Sequence, residues 1–316
     1  MTRMHADEIE VDESLVRRLL AAQMPAYADL ALTTVEPWGT DHAIWRLGDD
    51  LVVRLPRIHW ARGQVDLEST WLPRLAPFVP VPVPRPVAVG EPAAGYPYRW
   101  AVHEWLPGDQ ATLELIDDVE RFARQLVEVV IGLRDAPTDG APPARNRARP
   151  LVEYDSATRA AIHGAHHLID TVAAERIWES ALAADPYDGP PTWVHGDLEG
   201  NCLVTDGQLS GLIDWGSACV GDPAVDVQVI WSPLFTERSR AVFVEALQVD
   251  DATLARSRGA AINSACAALP YYLDTYPQIV ERSRHKLAAV GVDVMVQAAT
   301  RLRRGRVPGR RDRRVP

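Results

Sequence analysis

Lysine is all but missing from this chain: Lys286 is the single one among 33 basic residues, a bias we assign to codon usage and not to function. Cysteine is almost as scarce. Cys202, Cys219 and Cys266 are an odd number without clustered spacing, which speaks for reduced thiols in a cytoplasmic protein and against a zinc site. Each reads as a small apolar packer. No apolar run approaches the ~18 residues that a membrane span needs. The first stretch places Asp7, Glu8, Glu10 and Asp12 ahead of any apolar segment, the opposite of a signal peptide. No segment repeats.

The remaining composition is that of a soluble globular protein, with 47% hydrophobic and 24% charged residues. Its 316 residues leave room for two domains at a soft unit of roughly 150 residues each. The formal charge of -10 is unevenly spread: residues 301–316 hold eight Arg and one Asp, so the preceding 300 residues carry -17. A body that acidic repels nucleic acid and draws cationic small molecules into any acidic cleft. The basic tail invites a nucleic-acid or membrane contact. With almost no apolar residues, and with Pro308 and Gly309, it reads instead as a disordered, solvated end. Neither nucleic acid, membrane nor an obligate protein partner is implied.

Along the chain, residues 12–22 read as an amphipathic helix with an acidic start. Residues 33–37, 43–47 and 51–55 are short β-like runs separated by Gly-Asp-type turn signals. A helix over residues 62–75 carries Glu68. Residues 77–92 hold six prolines, an extended, stiff stretch that lacks donors for a central strand; a rigid connector fits better than a ligand for a proline-reading module. Two further β-like runs, 87–89 and 99–105, end at Leu106-Pro107-Gly108. Beyond them the pattern is largely helical, with an apolar helical period from Val119 to Leu133. Residues 136–150 form a turn-rich loop without periodicity. His163, His166 and His167 fall in the next predicted helix and read as helix-face residues rather than as a metal site. Two or three helices cover 224–248 and 252–290.

The chemistry concentrates in residues 195–216, which run His-Gly-Asp-Leu-Glu-Gly-Asn, then an apolar pair of β-like segments, then Gly-Leu-Ile-Asp-Trp-Gly. Residues 202–205 and 209–213 flank Asp206-Gly207, a strong hairpin signal. Pairing these strands brings Asn201 and Asp214 together at the open end. An amide oxygen and a carboxylate meeting there make a hard-oxygen site suited to Mg²⁺, which keeps waters and shares its shell with phosphate. Asp197 stands beside the pair, placed to accept a proton from an incoming hydroxyl. Those are the parts of a phosphoryl-transfer site.

This segment resembles the catalytic and metal-binding loops of the aminoglycoside phosphotransferase family, antibiotic kinases related to protein kinases, and the likeness extends over most of the chain. The resemblance implies an α+β, two-lobed, protein-kinase-like fold. Residues 1–105 would form a small nucleotide-binding lobe of antiparallel sheet plus helix. Residues 106–300 would form a larger, mainly helical catalytic and substrate lobe, followed by the basic tail, 301–316. It also implies Asp197 as catalytic base, Asn201 and Asp214 as Mg²⁺ ligands, Asp226 as a buried brace of the catalytic loop, and Asp222 as the cap of the following helix, with Pro223 in its first turn. One departure stands out. The family places four residues between the Asp and the Asn, and here only Leu198, Glu199 and Gly200 intervene, which makes Glu199 a candidate substitute ligand.

By the same resemblance, residues 38–42, with Gly39 and Thr40, would lie over the nucleotide phosphates and offer backbone N–H groups. The phosphate-binding basic residue of the third strand, usually Lys, is Arg54 here; it would pair with Glu68, binding phosphate through two N–H groups in place of a compact ammonium. Backbone groups from Glu104 to Leu106 would bond the purine edge. The acceptor pocket would draw on Trp231, Phe235, Glu237, Tyr271, Tyr272, Asp274 and Tyr276, a set suited to an amphipathic, cationic, hydroxylated compound such as an aminoglycoside or a macrolide sugar. The expected activity is Mg²⁺-dependent transfer of the γ-phosphate of ATP or GTP to a hydroxyl. Two other readings stay open: a metabolite kinase of the choline, homoserine or sugar-amine type, and an inactive nucleotide-binding scaffold.

Overall fold

Asp12 opens the first helix, α1 (Glu13–Gln23), by accepting the Leu15 N–H at 2.7 Å. The helix buries Leu15, Val16, Leu19 and Leu20 along one stripe. In this computed structural model, which describes residues 4–35 and 39–295, that stripe covers one face of an antiparallel sheet. The strands are β1 (Leu32–Thr34), β2 (His42–Leu47) and β3 (Leu51–Pro56), then, beyond α2 (Gln64–Leu75), β4 (Pro86–Gly90) and β5 (Trp100–Glu104). Their spatial order is β1-β2-β3-β5-β4.

Residue parity decides what each face carries, because successive side chains of a strand point to opposite sides. Val53 and Leu55 face the α1 side with Ala43, Trp45, Leu47, Trp100 and Val102. Val52 and Arg54 therefore face the other way. Their cross-strand partners are Arg46 and His103 for Val52, and Ile44 and Ala101 for Arg54. The proline-rich stretch runs as an extended connector into β4, with Pro86 as the first residue of an edge strand, where a missing donor costs least. On its way the connector accepts the Leu212 N–H on Pro82 O at 3.0 Å, tying the small lobe to the hairpin that carries the site.

After β6 (Asp109–Gln110) the chain becomes mainly helical: α3 (Val119–Asp135), α4 (Asp155–Gly164) and α5 (Thr171–Ala183) precede β7 (Trp193–Val194). The hairpin β8 (Cys202–Thr205) and β9 (Gln208–Leu212) follows, then β10 (Cys219–Val220), the short α6 (Ala224–Val227), α7 (Glu237–Leu247), α8 (Asp251–Tyr271) and α9 (Pro277–Val290). The hairpin turn puts Asp206 at φ 49° and Gly207 at φ 74°, the two left-handed residues of a type I′ turn. Helix α8 is packed by α9, α5, α4 and α6, and its small residues Ser257, Gly259, Ala261 and Ala265 are buried. A helix surrounded this way needs no single apolar stripe.

The first strand ends at Thr34, the end of the expected run at residues 36–37 lies outside the described residues, and α2 begins at Gln64, not 62. Helix α4 ends at Gly164, so His166 and His167 lie in the turn after it and not in the helix. The tail 301–316 and Trp38 of the loop over 38–42 lie outside the described residues.

Leu19, fully buried between α1 and the sheet, tests this packing. Leu19→Ala is expected to cost about 2–5 kcal/mol, read as a lowered urea midpoint. An unmoved midpoint would mean that α1 does not secure the back of the sheet.

Candidate active site

The loop after β7 is suspended from one buried carboxylate. Asp226, in α6, accepts the His195 N–H on Oδ2 and the Gly196 N–H on Oδ1, each at 2.8 Å. His195 then links both halves of the motif. Its Nδ1 accepts the Asp197 N–H at 3.2 Å, and its Nε2 donates to Ile213 O at 3.1 Å. A backbone N–H only donates and a carbonyl only accepts, so these two bonds assign the proton to Nε2. The ring rests against Trp215, centroid to centroid 4.6 Å.

The shortened loop closes without losing Asn201. Asn201 N–H donates to Leu198 O at 3.2 Å, and Gly200 takes φ 84°, the turn geometry that demands a residue free to adopt positive φ. The Asn201 side chain donates Nδ2 to Asp197 O at 2.7 Å, leaving Oδ1 as its lone-pair atom. Asn201 O in turn accepts the Ile213 N–H at 2.9 Å, which carries the chain to Asp214. There the backbone turns left-handed, with φ 59° and ψ 69°, a conformation that costs a non-glycine residue about 1–3 kcal/mol and persists only where its surroundings over-determine it.

The surroundings are ionic. Arg54 Nη1 contacts both Glu68 oxygens, at 2.7 and 2.9 Å, while Nη2 reaches Asp214 Oδ1 at 3.0 Å. Glu68 Oε1 also accepts the Trp215 N–H at 3.0 Å. Burial opposes the Arg54 charge, but Glu68 and Asp214 more than offset it and hold its pKa above the ordinary value. The expected pair of Arg54 with Glu68 is thus present in the geometry; the reach of Arg54 to Asp214 was not anticipated. Asp214 keeps Oδ2 outside this contact, and its side chain is 39% exposed. Asn201 Oδ1 and an Asp214 oxygen are the donor types a hard divalent cation takes. Among the described residues no cluster of three or more His, Cys, Asp or Glu side chains forms a metal-holding group.

Asp197 faces Arg147, with Nη1 3.4 Å from Oδ1. Enclosure pushes the Asp197 carboxyl above the usual value; Arg147 opposes this and Asp214 adds to it. Arg147 comes from the turn-rich loop 136–150, where an arginine in aperiodic sequence carries no signal. Glu199, the candidate substitute ligand, forms a largely buried ion pair with Lys286 of α9 through Oε2, and its Oε1 has no hydrogen-bond partner among the described residues.

Two buried histidines share the Arg54 face. His42 Nε2 and both ring nitrogens of His103 have no hydrogen-bond partner among the described residues. Burial, with Arg54 adding and Asp41 opposing, pulls His42 down to about 3. Burial, Arg54 and His42 pull His103 well below its ordinary value.

The remaining expectations divide. Thr40 offers its carbonyl, which accepts from His5 Nε2 at 2.9 Å, and the other His5 nitrogen lies 2.8 Å from Tyr271 Oη. Tyr271 and Tyr272, 4.8 Å apart by ring centroid, thereby meet the loop of Gly39 and Thr40. His5 itself was missed, being a lone histidine among acids. Trp231 is corrected: it lies 2% exposed in the core and donates Nε1 to Ser257 Oγ at 3.0 Å. Phe235 packs on Phe243 in the same core. Glu237, exposed in the first turn of α7, and Asp274, exposed in the turn after α8, are not drawn to the catalytic loop by any contact. In the expected hinge, the Glu104 N–H donates to Arg85 O at 2.9 Å and the Trp105 N–H to Asp50 O at 2.8 Å. The Leu106 side chain lies against β9.

Comparison with known proteins places most of the chain in one family. The model of the phosphotransferase enzyme family matches residues 34–261. Among solved structures, a GDP complex of an aminoglycoside 2'-phosphotransferase-IIIa mutant superposes with TM-score 0.70 at 18% identity, covering 88% of this chain and 97% of that one. A macrolide 2'-phosphotransferase type I gives 0.61 at 20%, covering 88% and 98%. A macrolide 2'-phosphotransferase from Brachybacterium faecium gives 0.56 at 24%, covering 88% and 97%. No curated protein sequence matches the chain. Among the described residues no helix is long and apolar enough to cross a membrane.

Two outcomes follow from this geometry. Asp226→Asn leaves one of two buried N–H groups without its acceptor, so stability is expected to fall by about 1–3 kcal/mol in urea denaturation; wild-type stability would show that the loop is held by other means. His42 and His103 are neutral in the folded chain, whereas in the unfolded chain they protonate near pH 6.5. Their contribution is complete above that pH and is lost as pH falls toward 3, at up to about 1.4 kcal/mol per pH unit for each group. Denaturation midpoints between pH 7 and pH 4 should drop less steeply in His42→Gln, and parallel slopes would refute the assignment.

Proposed function

Because the chain belongs to the phosphotransferase enzyme family, we propose that it moves the γ-phosphate of ATP or GTP to a hydroxyl of a cationic, amphipathic small molecule of the aminoglycoside or macrolide class. The observation that carries this reading is the linked frame in which the Asn201 amide bonds Asp197 O while Asp214 is held by Arg54, itself paired with Glu68. Solved relatives hold GDP with kanamycin, or ATP with streptomycin, which supports a nucleotide donor and an aminated sugar acceptor.

In this mechanism the acceptor hydroxyl hydrogen-bonds to the Asp197 carboxylate. Its oxygen attacks the γ-phosphorus, the bond from that phosphorus to the bridging oxygen breaks with its electron pair leaving on the nucleoside diphosphate, and the hydroxyl proton ends on Asp197. Asn201 Oδ1 and Asp214 would hold Mg²⁺, which when bound neutralises phosphate charge and aligns the two outer phosphates. Arg54, kept in place by Glu68, adds a fixed cation behind the phosphates; a charge already positioned costs no reorganisation during transfer. The aromatic Tyr271 and Tyr272 beside the loop of Thr40, together with an acidic body, favour an acceptor that carries amines. The turn that retains Asn201 beside Asp197 despite the shorter loop supports catalysis over an inactive scaffold.

The test is nucleotide-dependent phosphorylation across a panel of aminoglycosides, macrolides and hydroxylated metabolites, with product detected by mass spectrometry. Transfer to metabolites alone would move the assignment to a metabolite kinase. General-base help contributes about 10²–10⁴-fold, so Asp197→Asn should lower kcat by about that factor while nucleotide affinity, measured by calorimetry, stays near the wild-type value. Parallel loss of both would make Asp197 structural.

A further inference from the structure

Arg147 has no part in the scheme above, yet it stands nearest the proposed base. Its charge is sustained first by Asp197, then, against burial, by Asp41, Asp214 and Glu199, and its Nη1 stands 3.4 Å from Asp197 Oδ1 in the catalytic loop. Arg282 lies against Gly200 of the catalytic loop, and two further cations of this region are committed. Arg54 is engaged by two carboxylates, and Lys286 is paired with Glu199. Arg147 makes a single long contact, 3.4 Å, and about a third of its side chain is exposed. An arginine carries five N–H donors, and this contact engages a single Nη of Arg147.

The loop that delivers it is built and not slack. Residues 142–148 are laid along β10: Val220 N–H donates to Pro142 O and Ala144 N–H to Val220 O, both at 3.0 Å. Directly after Arg147 the chain turns through Ala148, buried and at φ 61°, a left-handed alanine whose strain of about 1–3 kcal/mol must be over-determined by its neighbours. It is: Ala148 O accepts the Asp222 N–H at 2.8 Å, and Asp222 is held in turn by the buried Arg256, Nε to Oδ2 2.7 Å. A rigid platform bends the backbone at the one residue that aims Arg147 at Asp197.

Resting on the phosphotransferase reading of this site, we infer that Arg147 is a catalytic residue whose guanidinium donates to the equatorial oxygens of the phosphoryl group during transfer. Those oxygens carry the spread negative charge as the old P–O bond breaks and the acceptor bond forms. A planar fork of N–H donors matches two of them at once. The catalytic loop supplies no cation of its own, since Asp197 is followed by Leu198, Glu199 and Gly200.

The experiment compares wild type, Arg147→Ala and Arg147→Lys for kcat, KM and thermal midpoint, with and without added guanidinium ion. The expected result is a fall in kcat of about 10²–10³-fold in Arg147→Ala at unchanged thermal midpoint and nucleotide KM, partial activity in Arg147→Lys, and recovery of Arg147→Ala by guanidinium. Wild-type turnover in Arg147→Ala overturns the inference and leaves the reading of Asp197 intact. A loss accompanied by a lower midpoint, rescued by neither Lys nor guanidinium, overturns it in favour of a structural role. If the wild type transfers phosphate from neither nucleotide to any acceptor, both fall together.

Discussion

One ionic junction holds the two lobes in register at the site: Arg54 from β3, Glu68 from α2 and Asp214 at the exit of β9, with the Trp215 N–H closing it on Glu68. Three separate elements meet in four contacts, and none of them needs the others to form locally. A buried pair of this kind adds little net stability, since desolvation consumes most of the Coulombic gain, whereas removing one partner strands a charge and costs about 3–5 kcal/mol. Its contribution is positional. It settles which way the left-handed Asp214 points and where the Arg54 guanidinium stands.

A second junction does the same with hydrogen bonds alone. Asp226 holds the start of the catalytic loop, and His195 bridges that loop to the strand leading into Asp214. Asp197, Asn201 and Asp214 are therefore fixed relative to one another by backbone contacts through a frame of buried polar groups. That frame tolerates a loop one residue shorter than the family's, because the turn at Gly200 absorbs the difference while the amide of Asn201 still bonds Asp197 O. Electrostatic effects are strongest where the groups cannot relax, and this frame holds its charged groups in place.

Much of this was legible in the sequence because it is local. The hairpin turn at Asp206-Gly207, the acidic start of α1, the extended proline-rich connector and the spacing from His195 to Asp214 all follow from short-range geometry. The pairing of Arg54 with Glu68 and the bracing by Asp226 were read from a family pattern, and both contacts are present. The acceptor candidates fared differently. Trp231 looked like a cleft aromatic and is core, because aromatics at helical spacing cannot be sorted into lining and packing until the helices around them are placed. Glu199 looked like a ligand and is the partner of Lys286, a residue 87 positions along the chain.

What the chain determines by itself is the set of elements and the chemistry of its motif: strand parity puts Arg54 opposite the α1 core, and a hairpin with the right turn brings Asn201 to Asp214. What only the tertiary structure decided is which distant charges enter that site. Arg147, His5 and Lys286 arrive from an aperiodic loop, the first described residues and the last described helix. Their placement depends on packing across sequence separations at which no periodicity or turn rule operates. Coulombic and hydrogen-bond partners are selected by distance in space, and for these residues that distance exists only once both lobes are assembled.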